Sequence, residues 1–205
     1  MKKIFKLSLI LLTLGLATGC TSDQDMAPYK AIFFSETFDS NPTVGIGQNI
    51  NLTGWSNVSL NGTKKWEART YGGEIYAQLS AYNTGETNMN TWLISPAINL
   101  DQTTNEALIF DYVAGYYTGN GLSVLVSTDY DGSNTAAAIS AATWTDLNVA
   151  FPVYSATGYP AFSSTTAADL SQFNGNVYVA FRYLGSSAGI NTTYEIDNIK
   201  LFENK

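Results

Sequence analysis

Apolar positions recur along most of this chain in short runs with a period of two, separated by clusters of Gly, Asn, Asp and Thr. No stretch from Tyr29 onward sustains the 3.6-residue period of a long helix. The pattern predicts strands over residues 32–38, 65–71, 75–82, 92–94, 107–112, 122–128, 177–184 and 194–202. In the seventh of these, Val177, Val179, Phe181 and Tyr183 alternate with Tyr178, Ala180 and Arg182, as in a sheet with one dry side. Residues 133–142 are rich in Ala and suit one helical turn, while 39–54 and 148–168 form long loops, a common seat of binding on rigid sheets. So many strands without long helices predict an all-β sandwich, in one domain and without internal repeats.

The first residues break this pattern. Lys2, Lys3 and Lys6 precede an apolar run from Leu7 to Leu16, shorter than the roughly 20 residues of a transmembrane helix, as in a secretory signal. The run ends in Leu16-Ala17-Thr18-Gly19-Cys20, which resembles the lipobox of bacterial lipoproteins, where the cysteine after the cut receives the lipid. Ala17 departs from the commoner Leu, and an ordinary signal peptide with an unrelated cysteine is the alternative. The expected organisation is a signal peptide over 1–19, a lipidated tether over 20–30 and a β-sandwich over 31–205. The acidic stretch Thr21-Ser22-Asp23-Gln24-Asp25 is similar to those of surface-exported lipoproteins. An outer-membrane lipoprotein exposed at the cell surface is therefore expected, touching the membrane through its lipid only.

Composition narrows the chemistry. The 205 residues contain no His and one Cys, which excludes Ser/His/Asp and Cys/His nucleophile systems and imidazole-ligated metals. Loss of the three signal lysines leaves 7 basic against 17 acidic residues, taking the net charge from −7 to −10 and arguing against a nucleic-acid partner. With Cys20 lipidated, the folded part has neither disulfide nor thiolate.

Five segments occur in an order that resembles a known family. They are Ser35-Glu36-Thr37-Phe38-Asp39, the run from Trp92 to Leu100, the run from Leu122 to Asp129, the run from Val177 to Tyr183, and Tyr194-Glu195-Ile196-Asp197-Asn198-Ile199. Together they are similar to the choice-of-anchor J, or cleaved-adhesin, domain over about residues 32–202. The resemblance implies a jelly-roll sandwich related to MAM and carbohydrate-binding modules, carried on secreted or surface-anchored bacterial proteins.

Two acids stand in apolar rows. Phe34, Glu36 and Phe38 share one strand face, and Asp197 shares its parity with Ile199 and Leu201. A buried carboxylate must be protonated, paired or bound to a cation. Only Lys64, Lys65, Arg69 and Arg182 lie between the first strand and Lys200, so pairing partners are few. Calcium, a hard cation taking oxygen ligands, suits a chain rich in Asp and Asn. The family resemblance implies a structural calcium between the first and last strands, held by Glu36, Asp39 and Asp197 with Asn198. The alternatives are solvated strand ends, since Ile196 beside Asp197 breaks the alternation and can mark a bulge, and a salt bridge to Arg or Lys. Asp129-Tyr130-Asp131-Gly132-Ser133-Asn134 is a turn signal first and a second ion site second.

Aromatic rings in Gly-, Asn- and Thr-rich segments can stack on sugars, which makes Trp55, Tyr116 and Tyr117 candidate ligand-binding residues. Trp66 and Trp144, on expected strands, belong to the core. No catalytic residue is assigned. The expected function is a non-catalytic, adhesin-like module with structural calcium, binding an extracellular glycan or a host or matrix protein. Alternatives are a structural subunit of a surface assembly, or a glycosidase or lyase working with two carboxylates.

Overall fold

The computed structural model describes residues 31–204, so the signal peptide, Cys20 and the tether lie outside the described residues. Two antiparallel sheets pack face to face, as the strand pattern predicts. The first sheet contains β1 (Ile32–Glu36), β3 (Glu67–Tyr71), β4 (Glu74–Leu79), β7 (Glu106–Gly115) and β13 (Thr193–Glu203), with the short strands β10 (Ser163–Ser164) and β11 (Ala168–Asp169) along β7. β13 pairs with β7 on one flank and with β4 and then β1 on the other. The second sheet contains β2 (Ser56–Asn61), β5 (Met89–Ile94), β8 (Leu122–Ser127) and β12 (Asn176–Gly185), with β6 (Ile98–Asn99) and β9 (Thr145–Asp146) as short additions.

The core lies between the sheets. Ala68, Leu79, Phe110, Tyr112, Tyr194 and Ile196 from the first meet Leu93, Val124, Val179, Phe181 and Tyr183 from the second. The one-dry-side reading of β12 needs correction, because Ala180 is also fully buried. It joins Val58, Trp92, Ile94, Leu125, Tyr130 and Ile139 in a smaller cluster on the other side of the second sheet. Ile139 comes from the single described helix, α1 (Ala136–Ala141), which starts on an N-cap at Thr135 whose hydroxyl accepts from Ala138 N. The Asp129–Asn134 segment is a turn in which Asp129 accepts from Ser127 Oγ and Thr143 N, and Asp131 from Ser133 N.

The strand parity around Asp197 also differs from expectation. Tyr194 and Ile196 point into the core, and so do Ile199 and Leu201. The parity switch occurs at a bulge, where the register with β7 shifts between Asp197 and Lys200 and Asn198 takes φ +51°. Asp197 therefore shares its face with Glu195, away from the core, rather than with Ile199 and Leu201.

Candidate functional site

The same alternation builds the site. Ala68, Ala77, Leu79, Tyr194 and Ile196 face inward, so Glu67, Arg69, Tyr76, Gln78 and Glu195 face outward. Register sets them in rows across four strands: Glu67 opposite Gln78, Gln78 opposite Glu195, Glu195 opposite Val113, and Arg69 opposite Tyr76. The long segment after β9 closes one side of this face. Its backbone is seated on β7 and the residues after it by hydrogen bonds from Ser155 N to Ala114 O (3.0 Å), Tyr117 N to Ser155 O (2.8 Å) and Tyr116 N to Gly158 O (3.0 Å). Gly115 permits this approach, since a Cβ there would lie 2.7 Å from Tyr159 Cδ1 and 2.9 Å from Gly158 O. Phe162 then packs edge-on against Tyr76 at 5.6 Å, and Tyr159 against Tyr116 at 5.2 Å.

The result is a groove of about 680 Å³ lined by Arg69, Tyr71, Tyr76, Tyr116, Tyr159 and Glu195, among others. Its walls are aromatic and its floor polar, a composition that places flat rings beside hydrogen-bonding groups. Burial raises the Glu195 carboxyl to about 7, although a hydrogen bond from Tyr76 and the charge of Arg69 both favour its ionised form. Burial, and then the charge of Glu195, push the Tyr76 hydroxyl up to about 12. The two groups thus share a proton-rich pair on the groove floor at neutral pH. Glu67, buried, holds Lys64 at 2.8 Å and Arg69 at 3.2 Å.

The residues singled out from the sequence fall in three places. Tyr116 lines the groove, half exposed, with φ +47° where the chain turns out of β7. Tyr117 stacks on Tyr154 at 4.2 Å and packs against the core, beside the groove rather than in it. Trp55 is only 8% exposed and packs on Phe38 at 5.5 Å, so it offers a ligand almost no ring surface. Trp66 is fully buried in the main core, and Trp144 packs on Trp92 at 5.0 Å.

Glu36 has a local role. Its Oε1 accepts from Thr37 N (3.0 Å) and Phe38 N (2.7 Å), and its Oε2 from Trp55 Nε1 (3.1 Å). Those bonds hold the turn at Phe38, whose φ is +58°. Asp197, on the neighbouring strand two residues before the Ile199 that pairs with Glu36, is 5% exposed and accepts from Asn198 N (2.7 Å) and Asn198 Nδ2 (3.3 Å). Burial raises its carboxyl to about 7 against the Asn198 hydrogen bond, and the charges of Asp39, Asp111 and Glu74 push the same way. The charge of Asp39 reaches Asp197, and Glu36, whose oxygens keep acceptor capacity beyond its three bonds, sits on the strand paired with β13 opposite Ile199. Among the described residues no three acids are gathered as metal ligands. A cation at Asp197 would therefore draw further oxygens from Asn198, backbone carbonyls or water.

The residues that sequence reasoning missed are Arg69, Tyr71, Tyr76, Gln78, Tyr159, Phe162 and Glu195. The available signal was the outward parity of the 65–71 and 75–82 strands, which alternates polar and aromatic side chains opposite the core positions.

The family described as Domain of unknown function (DUF5017) matches residues 100–205. No curated protein matches the sequence. Among solved structures, the K2 cleaved adhesin domain of Lys-gingipain has a TM-score of 0.58 at 19% identity, covering 84% of this chain and 98% of that one. The K3 cleaved adhesin domain of Lys-gingipain from Porphyromonas gingivalis W83 has a TM-score of 0.52 at 14% identity, covering 84% of this chain and 100% of that one. The K1 domain from the same organism has a TM-score of 0.51 at 16% identity, covering 84% and 98%. At these identities the likeness is one of fold.

Proposed function

The chain belongs to the family described as Domain of unknown function (DUF5017), and from that premise we propose that it is a non-catalytic binding module whose ligand is an extracellular glycan. The groove on the outer face of the first sheet carries this reading, because it sets Tyr71, Tyr116, Tyr159 and Phe162 around hydrogen-bonding Arg69, Gln78 and Glu195. The names of the K1, K2 and K3 domains, which call them cleaved adhesin domains, support a binding role and the choice-of-anchor J resemblance of the sequence. The acids argue the same way. Glu195 lines the groove whereas Asp197 does not, so the two raised carboxyls lack the common cleft that paired-acid hydrolysis needs. On this reading Cys20 carries the lipid that holds the module at the outer-membrane surface.

Tyr159→Ala is expected to weaken binding of the best ligand found on a glycan array by about tenfold, or about 1.4 kcal/mol. Its melting temperature should stay near that of the parent, because Tyr159 is half exposed on a loop. A matrix-protein panel run in parallel, with binding there and none on the glycan array, would overturn the glycan reading.

Structural calcium belongs to the same proposal, held by Glu36, Asp39, Asp197 and Asn198 with carbonyls or water. It is supported by the three acidic neighbours that oppose ionisation of buried Asp197. Chelation should lower the melting temperature and calcium at about 100 times its dissociation constant should add roughly 2.7 kcal/mol. A melt indifferent to thorough metal stripping would remove calcium from the picture.

A further inference from the structure

A second cavity adjoins the groove. It measures about 370 Å³, is lined by Ile46, Lys64, Glu67, Ser80 and Tyr82 among others, and shares Arg69, Gln78 and Tyr159 with the groove. Three common walls make the two cavities one trough running along the β3–β4 hairpin. Each end carries an exposed tyrosine: Tyr71, opposite Glu74 where β4 begins, is 83% exposed, and Tyr82, just past Leu79 where β4 ends, is 73% exposed. The six residues of β4 alone extend about 20 Å. That separation is beyond the reach of one or two sugar rings.

The charges of the trough are closed on themselves. Its two cations, Lys64 and Arg69, are both held by Glu67, which is buried between them. Glu67 and, when ionised, Glu195 offset both charges, so the trough offers a carboxylate or sulfate no net positive charge, while the remaining N–H groups of Lys64 and Arg69 stay available to neutral hydroxyls. Glu195, the remaining acid of the floor, repels ligand anions when it ionises and hydrogen-bonds hydroxyls in either state. The net charge of −7 for the whole chain adds a general repulsion toward polyanions.

We propose that this trough binds the interior of an uncharged polysaccharide chain, laid across both cavities from Tyr71 to Tyr82, rather than a single sugar or a chain end. The inference rests on the glycan reading of the groove and adds the ligand's charge and its mode of engagement. Arg69 and Gln78, common to both cavities, hydrogen-bond the central units, and the tyrosines cap the ends.

The test is calorimetric titration of the full chain with neutral xylan-, mannan- and β-glucan-derived oligosaccharides from disaccharide to hexasaccharide, beside a polygalacturonate series. In at least one neutral series affinity should rise by tenfold or more from disaccharide to hexasaccharide, and the polygalacturonate series should not bind. Tyr82→Ala should reduce hexasaccharide affinity several-fold and leave the disaccharide unchanged. That pattern also excludes misfolding, which would weaken both. Equal affinity for short and long chains, preference for the charged series, or equal damage to both lengths by Tyr82→Ala each overturn this inference while leaving the groove a glycan site. Absence of binding in every series overturns the glycan reading with it.

Discussion

Raising the pH from about 5 to about 8 is expected to lower the melting temperature of the calcium-free protein by about 10 °C. The cause is the pair of outward acids of β13, Glu195 and Asp197, each raised to about 7 by burial. In the unfolded chain such acids titrate near 4. Between those values the folded protein binds protons that the unfolded chain releases, so protonation stabilises the fold. The contribution is complete below about pH 4 and is lost as pH rises through about 7. Across this window each acid supplies on the order of 2 kcal/mol.

The window is unusually clean for this chain. There is no His to titrate within it, and the acids whose values are lowered, Glu86, Asp129, Asp131 and Asp169, are already ionised there. Differential scanning fluorimetry across the pH series is the measurement. Asp197→Asn should remove about half of the slope, and a flat profile in the parent would show that neither acid is protonated at pH 5. Calcium enters the same experiment with opposite sign. A cation on Asp197 favours the ionised form, so saturating calcium should restore stability at pH 8 and do little at pH 5.

Phe110→Ala should cost about 3–5 kcal/mol, the range for removing a buried aromatic ring from a packed core. Phe110 projects from β7 across the interface to Phe181 of β12, edge-on at 5.0 Å, and lies 6.3 Å from Phe151 of the loop that follows β9. The ring ties both sheets to the loop that walls the groove, and it is only 1% exposed. Urea titration should show a lower midpoint with an unchanged slope. A loss below 1 kcal/mol would mean that the neighbouring rings collapse into the space, contrary to the packing described.

Much of the fold was legible because most strands alternate. β3, β4, β7, β8, β12 and β13 fall where the period-two pattern placed them, since each buries one face on the core. β2 escaped because its sequence, Ser-Asn-Val-Ser-Leu-Asn, is largely polar, and its buried Asn57 is satisfied by hydrogen bonds rather than by apolar contact. Asn57 Nδ2 donates to Ile50 O (3.2 Å) and Trp66 O (2.8 Å), and its Oδ1 accepts from Trp66 N (3.1 Å). A hydrophobicity pattern is blind to that kind of burial.

The site was less legible for a different reason. Its floor joins the β3–β4 hairpin to β7 and β13, far away in sequence, and its wall comes from the long 148–168 segment that was expected to carry binding without naming Tyr159 or Phe162. The bulge at Asn198 concealed the outward direction of Glu195 and Asp197, since counting parity back from Leu201 assigns both to the core. Tyr116 could be found because its Gly neighbours and adjacent Tyr117 force one of the two rings outward.

The position of β13 governs when the domain can exist at all. This last strand is the partner of β7, β4 and β1 together, and it carries the Glu195 side chain of the groove floor. Until it arrives, β1 has no neighbour, the β3–β4 hairpin has nothing to dock on, and the ligand face has no centre. A chain made from its N-terminus therefore cannot assemble the first sheet until synthesis reaches the 193–203 segment. Completion of the sheet and creation of the binding face are then one event, so a prematurely ended chain yields no weak binder.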